Sequence, residues 1–178
     1  MFFLKAYFYK ILKYDLINTF YYQNVIQVPK IKKMVLNFGY QKSSFKYLIS
    51  SLLALEFLSG KKGKVTKSKH LNVFLKIKKG NPVGCKIVLR KAPMYFFYVK
   101  LKACLYSKTK HHQAPPVRPN LKQANSLTFQ FKTPLTFSEL ETQFQFFKHI
   151  PKLDITLVTS SKSQKELTFL LKSIKFFS

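Results

Sequence analysis

The sequence predicts an α+β fold, a two-layer, mostly antiparallel sheet with helices on one face. Three observations carry that expectation. The runs Lys33–Gly39, Leu71–Ile77, Cys85–Leu89 and Leu127–Phe131 place apolar residues at every second position, as a strand does when successive side chains point to opposite faces. Other stretches, such as Phe45–Leu53 and Leu167–Ile174, repeat at helical spacing. Strands and helices do not alternate regularly, which argues against parallel βαβ units. With 178 residues and 47% hydrophobic content, a single domain over 1–178 with a real core is expected.

Taken in order, Phe8, Ile11, Leu12 and Leu16 form the stripe of a first helix over Lys5–Thr19, with Lys10 and Lys13 off that stripe. Pro29 breaks any helix and pushes Val28 to an extended conformation. In the strand Lys33–Gly39, Met34, Leu36 and Phe38 face one side, and Val35 and Asn37 the other. Ser44 suits the N-cap of a second helix, with Phe45, Leu48, Ile49, Leu52 and Leu53 as its buried stripe. Gly60 falls where a C′ glycine belongs. Residues 61–67 form a basic loop running into a short strand.

The runs Leu71–Ile77 and Cys85–Leu89 read as a hairpin around a long loop, Lys78–Gly84. In that loop Gly80 and Gly84 open backbone angles closed to other residues, and Pro82 withholds a ladder donor. Pro93 suits the first turn of a third helix, Ala92–Tyr106. That helix is apolar nearly all round and is expected to be buried on several sides. From Ser107 to Asn125 periodicity fails, and an irregular RNA-facing or partner-facing loop is expected. Ser138 with Glu141, and Ser163 with Glu166, fit two capping boxes. Leu167, Leu170, Leu171 and Ile174 then mark a docked terminal helix.

Charge narrows the function. The chain has 32 Lys+Arg against 6 Asp+Glu, a net charge of +26, whereas small domains usually carry only about 2–8. Such a chain repels itself and needs a polyanion nearby, either nucleic acid or an anionic membrane surface. All the cations except Arg90 and Arg118 are lysines. Lysine suits phosphate as a point charge, whereas arginine is the better reader of base edges, so the balance favours backbone binding. The same residue bias also follows from A/T-rich codons. Lys61, Lys62, Lys64, Lys67 and Lys69 crowd one loop and strand start. Phosphate contacts there would position RNA, while Gln27, Asn37 and Thr66 would read shape, bases or 2′-hydroxyls.

Other chemistry finds little support. Cys85 and Cys104 imply no disulfide framework. Cys104, His111 and His112 could be drawn together as zinc ligands, but no CxxC or HExxH accompanies them. No phosphate-loop or dinucleotide fingerprint is present, and the scattered acids do not pair for catalysis. No enzyme, cofactor, metal or small-molecule substrate is therefore expected. No apolar run approaches a membrane span, and the period-two runs argue against a polybasic membrane-surface protein. Residues 1–16 lack a cleavable secretory pattern and the Arg- and Ser-rich character of a transit peptide. With the codon bias, this makes organelle-encoded synthesis the expectation.

One block also carries a resemblance. Thr66, Lys67, Lys69, Lys76, Ile77, Lys78, Gly80, Pro82, Val83, Gly84, Cys85, Lys86, Leu89 and Arg90 match, ungapped, a pattern of the large-subunit ribosomal protein five family. Asn24–Ile31 is similar to that family's Asn-x-Val-Met-Gln-Val-Pro-basic signature with one spacer missing. Lys33–Gly39 matches its Val/Thr-Leu-Asn-Met-Gly, and Leu153–Lys162 its Leu/Met-Asp-Ile-Thr strand. Phe137–Ile150 looks like the mitochondrial branch. Only Ser107–Asn125 departs, lacking the family's Arg-Asp-Phe-Arg-Gly-Leu-type motif.

The resemblance implies an RRM-like ribosomal protein five fold in a mitochondrial large ribosomal subunit. It implies 5S rRNA and large-subunit rRNA as ligands in the central protuberance, with neighbouring large-subunit ribosomal proteins as partners. It further implies that the loop with Lys78, Lys79, Gly80, Asn81 and Pro82 reaches peptidyl-site (P-site) tRNA. The rRNA-binding set is then Gln27, Lys30, Asn37, Lys61, Lys62, Lys64, Thr66, Lys67, Lys69 and Arg90. Lys61 stands where the family commonly has Gln, and Val88 where it commonly has Thr. The alternatives are a large-subunit rRNA-binding protein that has lost 5S rRNA, and a non-ribosomal basic RNA-binding protein.

Overall fold

The computed structural model describes residues 6–40, 45–109 and 125–174. Five strands run through them: β1 (Ile31–Gly39), β2 (Lys64–Lys67), β3 (Pro82–Leu89), β4 (Ser126–Phe131) and β5 (Leu153–Thr159). They join in one antiparallel sheet of order β2-β3-β1-β5-β4. Helix α1 is π-helical over Phe8–Leu12 and α-helical over Lys13–Thr19. It is followed by α2 (Phe45–Ser59), α3 (Ala92–Thr109), the short α4 (Ser138–Glu141) and α5 (Phe144–Phe147), and α6 (Gln164–Ser173).

Strand alternation decides which side of the sheet is core. Met34, Leu36 and Phe38 of β1 are buried, as are Cys85, Ile87 and Leu89 of β3, Leu127, Phe129 and Phe131 of β4, and Leu153, Ile155 and Leu157 of β5. These side chains form one cluster with Leu12 and Leu16 of α1, Leu55 and Leu58 of α2, Phe97 and Leu101 of α3, and Leu167, Leu170 and Leu171 of α6. Each fully buried Leu or Phe contributes about 1.5–3 kcal/mol relative to exposure, so this cluster sets the two-layer arrangement expected from the sequence. The alternate residues Lys33, Val35 and Asn37 of β1, Ser126, Thr128 and Gln130 of β4, and Asp154, Thr156 and Val158 of β5 escape burial.

Several local expectations hold. The box at Ser163 forms, with its hydroxyl accepting from Lys165 N–H (3.3 Å) and Glu166 Oε2 accepting from Ser163 N–H (3.4 Å). Gly60 takes φ +62° after α2 and donates its N–H to Glu56 O (2.8 Å).

Other expectations are corrected. Leu71–Ile77 is not a strand. Lys76 has φ +52°, its N–H bonds Val73 O (3.1 Å), and Asn72 Oδ1 accepts Leu75 N–H (3.1 Å), so the segment folds back on itself. The alternation there lacks a sheet neighbour to bury it: Ile77 is buried but Phe74 is 99% exposed. The partner of β3 is instead the short β2, and the hairpin loop is 68–81. The predicted loop Lys78–Gly84 therefore divides. Lys78–Asn81 makes a turn against Ser68, with Ser68 N–H to Asn81 O (2.8 Å) and Gly80 N–H to Ser68 O (3.0 Å), whereas Pro82, Val83 and Gly84 belong to β3.

The buried face of α2 carries Leu48, Ser51, Ala54, Leu55 and Leu58, whereas Phe45, Ile49 and Leu53 are exposed. α2 is apolar on most sides, so spacing did not single out the face that meets β3. In α1 the wider π turn, with hydrogen bonds reaching five residues, leaves Ile11 exposed beside buried Phe8 and Leu12. Helix α3 runs to Thr109, past the expected end, and exposes Phe96 and Val99.

Ser138 forms no capping box, because buried Phe137 packs against Phe97 and Phe131 and takes the N-cap position. Glu139 turns instead to Lys100, Oε1 to Nζ 2.7 Å. Partial burial works against ionisation of Glu139, but the hydrogen bond and charge of Lys100 hold its carboxyl below the usual range. The Ser44 cap, Lys5, and most of the 107–125 stretch with His111, His112 and Arg118 lie outside the described residues.

Candidate nucleic-acid interface

Register places the polar side chains of the uncovered face in rows, because residues paired across antiparallel strands share a face. The central row runs Lys64 (β2), Lys86 (β3), Asn37 (β1), Asp154 (β5) and Gln130 (β4). The next row is Val88, Val35, Thr156 and Thr128, and beyond it Lys33, Val158 and Ser126. Lys64 and Lys86 are directly paired like charges, an arrangement that destabilises a sheet unless an anion joins it. Among the described residues neither has an ion-pair partner.

Next to that row, Thr66 pairs with Gly84 and Gly84 with Gly39. A Cβ on Gly84 would lie 2.4 Å from Phe38 O and 3.0 Å from Thr66 Oγ1, so only glycine lets β1, β3 and the Thr66 hydroxyl approach this closely.

The basic turn between α2 and β2 is held at several points. Lys61 N–H donates to Ser59 Oγ (3.3 Å), and Gly63 N–H donates to Glu56 Oε1 (2.8 Å). Lys61, Lys62 and Lys64 project from this turn into solvent. Exposed Arg90 follows Leu89, which pairs with Met34 towards the start of β1. Lys30 precedes β1 and is fastened to β5, its N–H on Ser160 Oγ (2.9 Å) and its O accepting Ser160 N–H (2.9 Å). Gln27 ends the turn just before it.

The predicted set is thus brought together only in part. Asn37, Lys64 and Thr66 share the face, with Lys61 and Lys62 at its edge and Arg90, Lys30 and Gln27 towards the start of β1. Lys67, Lys69, Lys78 and Lys79 lie at the other end, where β2 and β3 open into the 68–81 loop. β1 has nine residues, so at about 3.4 Å each the two ends stand about 30 Å apart. Sequence reasoning missed Lys86 and Lys33 as face residues. Parity alone marks Lys86, since Cys85, Ile87 and Leu89 point inward. It also missed Leu71, Val73, Phe74 and Leu75, exposed on the loop tip rather than set in a strand.

Catalytic and metal chemistry have no comparable assembly. The Cys104 thiol is buried and donates to Thr136 Oγ1 (3.3 Å). Among the described residues no three His, Cys, Asp or Glu side chains gather to hold a metal. No helix there is long and apolar enough to cross a membrane.

These features define a class: a two-layer, RRM-like α+β protein with a bare, lysine-bearing sheet face. Comparison with known proteins supplies the family. Residues 82–177 match the family model that describes the C-terminus of the large-subunit ribosomal protein five (uL5) family. The chain is 33% identical over 174 residues to the large ribosomal subunit protein uL5m of Reclinomonas americana, covering 97% of this chain and 95% of the relative. It is 35% identical over 161 residues to uL5 of Wigglesworthia glossinidia brevipalpis, 89% of each chain, and 31% identical over 173 residues to uL5 of Geobacter sulfurreducens, 96% and 95%. The chain belongs to the uL5 family of large ribosomal subunit proteins. It is a structural ribosomal protein and not an enzyme.

Proposed function

We propose that this chain is a structural constituent of a mitochondrial large ribosomal subunit that binds 5S rRNA and large-subunit rRNA in the central protuberance. The observation that carries the RNA-binding reading is the bare sheet face with paired Lys64 and Lys86 beside Asn37, bordered by the Lys61–Lys64 turn. Full-length similarity to a mitochondrial-type relative favours that compartment. Phosphates would join the lysine rows and relieve their mutual repulsion. Asn37 and Thr66 would take the sugar or base hydrogen bonds that distinguish RNA. Contact with P-site tRNA falls to the 68–81 loop, with Lys78 and Lys79 on its stem and the exposed Phe74 at its tip.

The test of the rRNA interface is a salt titration of RNA binding. Each neutralised phosphate adds about −0.7 to −0.9 to the slope of log K against log salt. Changing Lys61, Lys62 and Lys64 together to Ala should flatten that slope. An unchanged slope would move the interface elsewhere. For the loop, replacing residues 69–80 by a short Gly-Ser linker should leave subunit entry intact and abolish tRNA crosslinking to this segment. Failure to enter the subunit would make the loop an assembly element instead. A reading in which 5S rRNA contact has been lost is favoured by Val88, an apolar side chain exposed on the face where the family commonly has Thr. Co-purification of 23S-type rRNA without 5S rRNA would establish it.

A further inference from the structure

The chain has only 6 acids against 32 cations, and one of them, Glu56, reaches into the most basic stretch of the interface. Its carboxylate Oε1 accepts Gly63 N–H at 2.8 Å across a turn of seven residues. Beside a polyanion site a carboxylate is electrostatically adverse, so its place needs a geometric account.

The local backbone supplies one. Helix α2 ends at Ser59 and β2 begins at Lys64, so the chain reverses within 60–63. Glu56 binds this reversal twice, its backbone O to Gly60 N–H (2.8 Å) and its side chain to Gly63 N–H. Gly63 N–H lies before the first β2–β3 pair, Lys64↔Lys86. It therefore has no ladder acceptor, and a charged acceptor is the stronger substitute. A side chain at position 63 would press on Leu52, 2.5 Å from its Cδ1, so the loop lies hard against α2 at this point. Fastening Gly63 orients Lys61 and Lys62 on one side of it and Lys64 on the other.

We propose that Glu56 is a positioning residue for RNA binding, which holds the Lys61–Lys64 turn in its binding geometry through the Gly63 amide and touches no RNA itself. The inference rests on the proposed rRNA interface. It makes an unusual prediction of sign. If Glu56 acted only through its charge, any neutral replacement would tighten RNA binding. If it acts by holding the turn, Glu56→Gln, which retains an acceptor oxygen, should bind at least as well as the parent. Glu56→Ala should bind about tenfold more weakly despite losing a negative charge, the size of one charge-assisted hydrogen bond.

The experiment measures affinity for a transcribed 5S rRNA from a bacterial relative at several salt concentrations, per folded molecule, for both Glu56 variants and for the Lys61/Lys62/Lys64 triple Ala variant. A net charge of +26 ensures measurable binding to structured RNA. Weakening in Glu56→Ala with retention in Glu56→Gln, together with faster amide exchange at Gly63 in the Ala variant alone, supports the proposal. If Glu56→Ala binds as tightly as the parent or more so while the triple variant is weakened, Glu56 has no positioning role and the rRNA interface stands. If the triple variant binds like the parent, the interface itself is wrong and this inference goes with it.

Discussion

The two halves of the bare sheet face share one backbone and differ in what their side chains do. On β5 and β4 the polar groups satisfy each other: Thr128 and Thr156 hydroxyls lie 3.0 Å apart, and Gln130 Nε2 donates to Asp154 Oδ1 at 2.8 Å. On β2 and β3, Lys64 is set against Lys86 and the nearby turn adds Lys61 and Lys62. Asn37 of β1 sits at the seam, paired with Lys86 on one side and Asp154 on the other. Cross-strand hydrogen bonds on the first half stabilise the free protein, whereas the like-charge pair on the second costs stability until an anion arrives. A net charge of +26 thus says that a polyanion is needed, while register says which half of the face meets it.

The largest expected effect that would break this comparison is at Gly84. Gly84→Ala forces a Cβ to within 2.4 Å of Phe38 O and should cost about 2–3 kcal/mol, with loss of RNA binding as β2 separates from β3. Gly39→Ala meets only Asn37 Nδ2, at 4.0 Å, and should stay within about 0.5 kcal/mol of the parent. Urea denaturation of the pair would show equal midpoints if the close approach of β1 and β3 did not matter.

Next in size is the contrast of Lys86→Ala with Gln130→Ala, which sit in the same row on opposite halves. Lys86→Ala should weaken RNA binding and reduce the salt slope by about 0.7–0.9, while Gln130→Ala leaves the slope unaltered. Equal losses of slope would mean that RNA covers both halves alike. The smallest effect is Asp154→Asn, which keeps an acceptor for Gln130 and removes the one anion of the central row. It should tighten RNA binding about twofold to threefold, the scale of a single surface charge interaction. No change would place Asp154 beyond the reach of bound phosphate.

The sheet's inner face was legible because burial and period two coincide. Met34, Leu36 and Phe38 alternate with Val35 and Asn37, and in the fold they point as their parity says. The capping pattern was legible only where nothing competed. Ser163-x-x-Glu166 forms its box at an exposed helix start, whereas at Ser138-x-x-Glu141 the packing of Phe137 and the pull of Lys100 on Glu139 override the same signature. Of the candidate site, the lysine cluster and Asn37 could be read from residue type and resemblance. Lys86 could have been read from parity and was not.

By itself the sequence determined the two-layer α+β class, the inward and outward sets of β1, β3, β4 and β5, the docked face of the last helix, and the demand for a polyanion. These depend on local spacing and on composition, both of which are complete in the chain as written. Tertiary structure alone decided that β3 pairs with Lys64–Lys67 rather than with Leu71–Ile77, that α2 buries Ala54 and Leu58 rather than Phe45 and Leu53, and that Glu56 reaches Gly63. The period of an apolar run states that a segment can bury one face. Which neighbour is there to cover it depends on contacts between residues far apart in the chain, and on backbone turns such as the left-handed Lys76 that spacing does not encode.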